Sequence, residues 1–399
     1  MWKIKDIVSR IFHKGDWYIL IEILNHYVQV AVLKVSPEKK VITVFKSEFR
    51  ILSEFNLANA LAGAGSLLKK IGKSDCYQII FSLDSSLATT IYSSISLIRP
   101  HPKETIDEAD LDNLISQAIW RFFDKQRWRV AQKMGIDDVD VMLSDVRIRD
   151  IKIDGHRVVN PIGFRAKTVE ISFSQTFLTR DCLRAIRELV QKERVALVTE
   201  SGTALSHVIS LFLDKPASFY VANLFPNETA LFSAAGERLA HHDKFDWGGN
   251  DLHHSLYRHF RVDPASAHFL LKTYADGNLS QGFLRKFENV LVKELHPFAN
   301  GLESLVGNDN SNIFLNAFSV FPPIVYSPRF HSRFQKSIKV LPLSTNFITD
   351  KLGYTVQFNS SAKVKNEVVL LAAVLEAILL PKNDTVSHLA NRRVRWLVT

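Results

Sequence analysis

The sequence predicts a duplicated α/β architecture, because both halves of the chain follow one plan. The first half opens with strand-like segments at 17–35 and 41–51 and continues into a helix. The second half opens with a similar meander between 217 and 244 and continues into helical segments from 249 to 305. Each half thus has the strands and helices of one α/β core, so we expect two related domains.

In the first half, the apolar run at 17–35 predicts two strands joined by a tight turn at Asn25-His26. The pattern then predicts three further elements, which are a strand at Val41–Ile51, a helix at Asn56–Ile71 and a strand at Tyr77–Leu83. Together they give a three-strand meander, a helix and a further strand.

Residues 98–180 are expected to form an inserted module, which opens at Pro100 and Pro102. Its pattern predicts one amphipathic helix and three strands, which lie at 107–123, 139–150, 151–159 and 164–173. A helix at 180–192 and an apolar strand at 195–199 lead back to the first domain.

The second half ends with a strand at 313–317 and a late helix at 363–380. The apolar part of that helix is interrupted by Glu376 and is shorter than the roughly 20 residues that a bilayer requires, so it predicts a buried helix. We expect a first domain at 15–97 and 181–214, interrupted by the inserted module at 98–180. A second domain follows at 215–387 and has a basic helical part at about 250–305. An amphipathic helix at 1–14 and a basic tail at 388–399 form the two ends.

The net charge of +9 favours acidic partners such as anionic lipid or acidic peptides. No zinc-finger spacing, RNP-type strand or helix-turn-helix occurs, so nucleic acid is not expected as a partner. The two cysteines form no CxxC pair, and no i, i+4 histidine pair occurs among the clustered histidines, so no metal site is predicted. The start of the chain has no signal-peptide pattern, and we expect a cytoplasmic protein.

The first fourteen residues, MWKIKDIVSRIFHK, predict an amphipathic helix that lies on a membrane surface. Apolar side chains share one arc, cationic ones fill the opposite side, and Trp2 falls near the boundary. The residues expected to contact anionic lipid are Met1, Trp2, Lys3, Ile4, Lys5, Ile7, Val8, Arg10, Ile11, Phe12 and Lys14.

Four segments resemble parts of the actin-like ATPase superfamily. YILIEILNHYVQVAVL (18–33) resembles its first phosphate loop, and GERLAHHDKFDWGGNDL (236–252) is similar to the stretch after the second phosphate loop in FtsA and PilM. IDGHRVVNPIGFRAKTVEISF (153–173) and VALVTESGTALSHVI (195–209) resemble the inserted subdomain of bacterial FtsA and its exit. The resemblance implies a duplicated actin-like, ribonuclease-H-like fold with an FtsA-type inserted α+β subdomain.

The chain departs from this superfamily where the superfamily binds nucleotide. Most of the aligned positions carry bulky, neutral or proline residues instead of the glycines and aspartates that hold phosphate and Mg²⁺. Glu22 keeps a carboxylate on a longer side chain, and Gly248 and Gly249 remain. The residues of this degenerate cleft are Glu22, Leu24, Asn25, His26, Ala222, Asn223, Pro226, Gly248, Gly249, Lys272 and Phe318. We therefore expect a pseudo-ATPase that binds neither ATP nor Mg²⁺, with a divergent active ATPase as an alternative.

In FtsA the part equivalent to 250–300 docks the tail of the tubulin-like division protein FtsZ. Here that part is basic and would suit an acidic, partly apolar peptide. The expected partner-binding residues are Arg258, Arg261, Arg285, Lys286 and Lys293. The resemblance thus implies a non-catalytic scaffold that links FtsZ-like filaments to the cytoplasmic membrane face and forms homo-oligomers, although FtsA itself carries its membrane helix at the C-terminus. A PilM-like assembly protein of a pilus or secretion system is the alternative.

Overall fold

The computed structural model describes residues 16–71, 77–190, 195–213, 218–235, 238–307 and 311–379. The chain divides into two compact units, of which the first contains the residues up to Ala204 and those from Thr349 onward, and the second is Leu205–Ile348. The predicted membrane helix at 1–14 and the basic tail at 388–399 lie outside the described residues.

The first unit begins with three strands, a helix and a fourth strand: β1 (Asp16–Leu24), β2 (Tyr27–Ser36), β3 (Val41–Ile51), α1 (Leu57–Ile71) and β4 (Gln78–Leu83). An inserted subdomain follows: β5 (Ala88–Ile98), α2 (Glu108–Met134), β6 (Val141–Ile153), β7 (His156–Val158) and β8 (Thr168–Thr179). The chain then returns through α3 (Arg180–Leu189), β9 (Val195–Glu200) and α4 (Ser201–Ser210).

The second unit has five strands and most of the remaining helices: β10 (Phe219–Leu224), β11 (Thr229–Ala235), β12 (Arg238–Phe245), α5 (Gly249–Phe260), α6 (Pro264–Ala275), α7 (Gln281–Glu294), α8 (His296–Leu305), β13 (Asn312–Ala317), α9 (Pro328–His331), β14 (Lys339–Pro342) and α10 (Thr345–Leu352). The last described elements belong to the first unit: β15 (Thr355–Phe358) and α11 (Glu367–Leu379).

The main sheets of the two units repeat one topology. The first has the strand order β15-β3-β2-β1-β4-β9 and the second has β12-β11-β10-β13-β14. In each sheet the first three strands along the chain form an antiparallel meander. A fourth strand pairs in parallel with the first of them, and a fifth pairs in parallel with the fourth. This repeated order confirms the predicted fold class, a duplicated actin-like α/β architecture.

The inserted subdomain has its own sheet and core. The four-stranded sheet has the order β5-β8-β6-β7, and α2 packs on it through Leu111, Ile115 and Phe122. The prediction began this module at residue 98, but β5 pairs with β8 along its whole length from Ala88, so the sheet begins ten residues earlier. Helix α2 also continues past the predicted end at 123, to Met134. Gly135 caps it in the left-handed conformation, with a φ of 65°.

The apolar late helix does not belong to the second domain, where the sequence assigned residues 215–387. Helix α11 packs on β1, β4 and β9 of the first unit, and its residues from Val368 to Glu376 are buried. Glu376 accepts hydrogen bonds from Arg149 on β6 and Tyr92 on β5, so a buried ion pair connects the inserted subdomain to α11. No helix in the described ranges has the length and apolarity needed to cross a membrane.

Candidate functional site

In the first unit, Glu22 lies on β1 just before the β1–β2 turn, where the resemblance placed a metal-binding carboxylate. Its side chain is fully buried and accepts a hydrogen bond from the Tyr27 hydroxyl. Burial raises the pKa of Glu22 to about 8, against a smaller lowering by this hydrogen bond. The group is therefore mostly protonated near pH 7, and a buried neutral acid is a poor ligand for Mg²⁺.

The turn itself consists of Asn25 and His26, between the paired residues Leu24 and Tyr27. The Asn25 amide donates to Asp84 Oδ2 at 3.4 Å, and Asn25 Oδ1 lies 2.9 Å from His26 Nδ1. Burial, with a smaller effect from Lys365, lowers the pKa of His26 to about 3, so its ring is neutral. Leu24 is fully buried. The turn thus directs one amide at a carboxylate of the chain and offers no cationic ring to an anion.

Sequence reasoning missed a buried polar cluster beside this turn, at the carboxyl ends of β4 and β9. Glu200 Oε2 accepts hydrogen bonds from the Thr90 amide (3.1 Å) and the Thr203 hydroxyl (2.6 Å), and Oε1 lies 3.8 Å from Lys133 Nζ. Asp84 Oδ1 accepts from the Ser86 amide and hydroxyl, each at 2.9 Å. Burial raises the pKa of Glu200, against the effect of Lys133.

Both acids of this cluster are held by donors of the chain itself. Asp84 and Glu200 are both buried, and the donors just described already use most of their oxygens. Among the described residues, no three histidine, cysteine or acidic side chains come together as metal ligands would. The signal that could have revealed the cluster is a charged residue at the end of each apolar strand, Asp84 after β4 and Glu200 ending β9.

In the second unit, the start of α5 lies against the β10–β11 turn. A helix N-terminus with unbonded amides is a ready anion site, but here these amides bond to the chain itself. Gly249 N donates to Phe225 O (2.9 Å) and Asn250 N to Pro226 O (2.7 Å). Gly248 N donates to the Asp251 carboxylate at 2.8 Å. The negative cap and the two carbonyls occupy the place that a phosphate would need.

Gly248 and Gly249 serve this packing. A Cβ built on Gly248 would lie 2.5 Å from the carbonyl carbon of Pro226 and 2.6 Å from Asn227 N. A Cβ on Gly249 would lie 2.6 Å from Ser319 Oγ. The absence of side chains thus lets the backbone approach another segment of the chain. In the superfamily, glycines at phosphate loops let the backbone approach phosphate instead.

At the end of β10, the position expected to have lost an acid carries a buried amide. Asn223 accepts a hydrogen bond from Asn316 Nδ2 at 3.0 Å, and these residues are register partners on β10 and β13. Both side chains are buried and neutral. Ala222 points to the opposite face, into the core that the helices α5–α8 cover. The aligned positions at this strand end therefore carry a pair of neutral amides and no carboxylate.

Phe318 follows β13 and stacks on Phe225, with ring centroids 4.7 Å apart and planes at 28°. Both rings are more than nine-tenths buried, so they fill the space beyond the ends of β10 and β13. Lys272 lies exposed on α6, and its side chain makes no ion pair or hydrogen bond with another described residue. The structure therefore brings Asn223, Pro226, Gly248, Gly249 and Phe318 to one end of the second sheet but leaves Lys272 as a solvated side chain.

The predicted partner-binding cations lie on α5 and α7 of the same unit. All are exposed, and none makes an ion pair or side-chain hydrogen bond within the described ranges: Arg258, Arg261, Arg285, Lys286 and Lys293. Half-buried aromatic rings lie beside them, since Phe260 stacks on Phe287 at 5.4 Å and contacts Phe283 at 5.8 Å. We call this region the basic surface. It combines five exposed cations with half-buried aromatic rings.

No protein-family model matches the chain, and no curated protein matches it. Solved structures resemble it in fold at low identity. The chain is similar to the PilM-PilN type IV pilus biogenesis complex, with 13% identity, coverage of 94% of this chain and 98% of that one, and a TM-score of 0.40.

Two further similar structures are MreB5 of Spiroplasma citri bound to ADP and the cytoplasmic domain of EpsL, an inner membrane component of the type II secretion system of Vibrio cholerae. The first has 8% identity, coverage of 85% and 95%, and a TM-score of 0.40. The second has 10% identity, coverage of 91% and 95%, and a TM-score of 0.31. The fold assignment rests on the repeated sheet order described above, and these similarities add no functional conclusion.

Proposed function

We propose that this chain is a non-catalytic scaffold on the actin-like fold, which binds a protein partner without using ATP. The observation that carries the proposal is the use of the backbone donors at the α5 N-terminus. The amides of Gly248, Gly249 and Asn250 bond to acceptors of the chain itself. A phosphate would have to displace a carboxylate and two carbonyls, and removing their partners would leave buried polar groups unsatisfied.

The remaining parts of the degenerate cleft support the same proposal. Glu22 is protonated near neutral pH, Asn223 is a buried amide, and Phe318 fills the strand ends with Phe225. A phosphate-transfer site needs metal-binding carboxylates and oriented donors. Neither unit supplies both at the aligned positions.

The partner that suits the basic surface is an acidic segment with a few apolar residues, such as the tail of an FtsZ-like division protein. Five exposed cations, which make no ion pair with any described residue, give electrostatic attraction, and the half-buried Phe260 and Phe283 supply apolar contact. In this proposal the protein lies on the cytoplasmic membrane face through residues 1–14, self-associates through its actin-like units, and links the division filaments to lipid.

The direct test measures binding of a fluorescent peptide with the FtsZ tail sequence, by anisotropy, at two salt concentrations. The variant R285E/K286E should weaken binding about tenfold or more, because it reverses two unpaired charges on one surface. The control K69E/K70E reverses an adjacent exposed pair on α1 of the first unit and should bind as the wild type does. Equal affinity of wild type and R285E/K286E would refute the assignment of this surface.

The alternative role is assembly of a pilus or secretion system. The similar PilM structure is a complex with PilN, so a PilN-type peptide belongs in the same assay. Binding of that peptide together with failure of the FtsZ tail to bind would transfer the proposal from cell division to pilus assembly. Such a result would leave the non-catalytic scaffold intact.

A further inference from the structure

Helix α2 of the inserted subdomain contains a two-turn stretch that contacts the core on one side only, through Phe123, which stacks on Phe177 with ring centroids 6.2 Å apart. Its residues up to Phe122 alternate between buried and exposed positions, but none between Phe122 and Val130 is buried. The stretch is held in place from one side, where Arg127 Nε donates to Asp138 O at 2.6 Å and its guanidinium lies 5.6 Å from the Phe123 ring. The other side of the helix faces outward.

Two tryptophans occupy this outward face. Trp120 is 47% exposed and Trp128 is 60% exposed, and neither belongs to the core of the subdomain. Trp128 follows Trp120 by eight positions, which places the two about 12 Å apart along the helix axis and about 80° apart around it, with Asp124 between them. Exposed tryptophans lower solubility and do not stabilise this core, so they need another explanation.

Two cations lie on the same face. Arg121 and Lys125 are exposed, and no described residue forms an ion pair or hydrogen bond with their side chains. Asp124 is the acidic residue between them, so the three charges sum to +1. Arg129 is exposed as well, but it follows Trp120 by nine positions and therefore lies on the opposite side of the helix. Tryptophan rings beside unpaired arginine and lysine are typical of segments that lie at a membrane interface, where indoles sit among the headgroups and cations meet anionic lipid.

We propose that this face of α2, formed by Trp120, Arg121, Lys125 and Trp128, binds an anionic lipid surface. It would be a second membrane contact, independent of the proposed one at residues 1–14. On this face the positions between the two tryptophans, Arg121, Asp124 and Lys125, are exposed as well, so the face is a ridge and not a groove. Peptide recognition uses grooves or sheet edges, whereas a ridge of amphipathic side chains fits a broad, deformable surface.

The test uses the full chain and vesicles of neutral lipid with about one-third anionic lipid, in a sedimentation assay. W120A/W128A should lower the vesicle partition coefficient about tenfold, because the indole area is no longer buried. R121E/K125E should lower it by a larger factor, since each cation near an anionic surface contributes about fivefold. F269A removes an equally exposed ring from α6 and K69E/K70E reverses exposed charges on α1, and both controls should bind as the wild type does.

The contribution of the N-terminal segment is separated by repeating these variants in an I7D/I11D background. We expect residual binding in that background, and its loss on adding W120A/W128A. A second readout is quenching of tryptophan fluorescence by brominated lipid, which should decrease in W120A/W128A.

Unchanged partition and unchanged quenching in W120A/W128A in both backgrounds would overturn the proposal. Weaker binding of a single-stranded oligonucleotide or an acidic peptide by these variants, with unchanged vesicle binding, would overturn it too. If I7D/I11D alone had no effect, the proposed role of residues 1–14 would fail, whereas the α2 proposal would stand.

Discussion

Replacing Gly248 with alanine tests whether the α5 N-terminus is packed against the β10–β11 turn. The added Cβ would lie 2.5 Å from the Pro226 carbonyl carbon, and real Cβ atoms essentially never come closer than 3.0 Å to such atoms. The turn would therefore have to move by at least 0.5 Å, the difference between these distances. That movement stretches the hydrogen bonds from Gly249 to Phe225 and from Asn250 to Pro226.

Overpacking of this kind costs about 1–3 kcal/mol of unfolding free energy. For units of this size, about 2 kcal/mol corresponds to a fall in Tm of about 4–8 °C. The matched control is G282A, because nothing lies within 4 Å of a Cβ at Gly282 in the first turn of α7. There alanine should leave Tm unchanged or raise it slightly.

Scanning calorimetry of G248A, G282A and wild type at one pH gives both shifts. If G248A unfolds at the wild-type temperature, the backbone of the second loop is not in contact with the α5 start. The amides there would then be open to a ligand, and the reasoning for a non-catalytic protein would be refuted.

Two further stability predictions concern buried charged groups. Burial raises the pKa of Glu22 to about 8. Between about pH 4.5 and 8 the folded state therefore keeps a proton that the unfolded state has released. The unfolding free energy of the wild type should fall by up to about 1.4 kcal/mol per pH unit over this range. E22Q should lack this fall, which Tm measured against pH would show; parallel curves for variant and wild type would count against it. R149A should lower the unfolding free energy by about 3–5 kcal/mol, because it leaves Glu376 buried without its cation, whereas R149M/E376L should cost much less. Equal losses in urea unfolding would mean that packing, not charge, dominates at this pair.

Local patterns were sufficient for the strands and helices whose sequence signal is short-range. The alternating and apolar runs of β1, β2 and β3 and the periodicity of α1 gave bounds within a residue of the structure. Strand β5 was missed because ATTIYSSISLI is rich in serine and threonine and has no turn signal of its own. It is a strand because β8 pairs with all of it, and that pairing joins residues about 80 positions apart.

The placement of α11 shows a second limit. Its composition predicted a buried helix, but composition does not tell which sheet buries it. The buried polar cluster could not be predicted for the same reason. Lys133 and Glu200 are 67 residues apart in the sequence, and they meet only because α2 ends near β9. The degenerate cleft residues were identified from the resemblance, but their new partners were not. Only the structure shows that Glu22 contacts Tyr27, that Gly248 lies against Pro226, and that Phe318 stacks on Phe225.

The most direct test of the central claim is isothermal titration calorimetry of the purified chain with ATP and Mg²⁺, at high protein concentration. We predict no detectable heat of binding and no thermal stabilisation by the nucleotide, because the α5 amides, Glu22 and the strand ends are already occupied by the chain's own groups. Micromolar binding, with a matching rise in Tm, would contradict the account and would mean that these contacts open to admit a nucleotide.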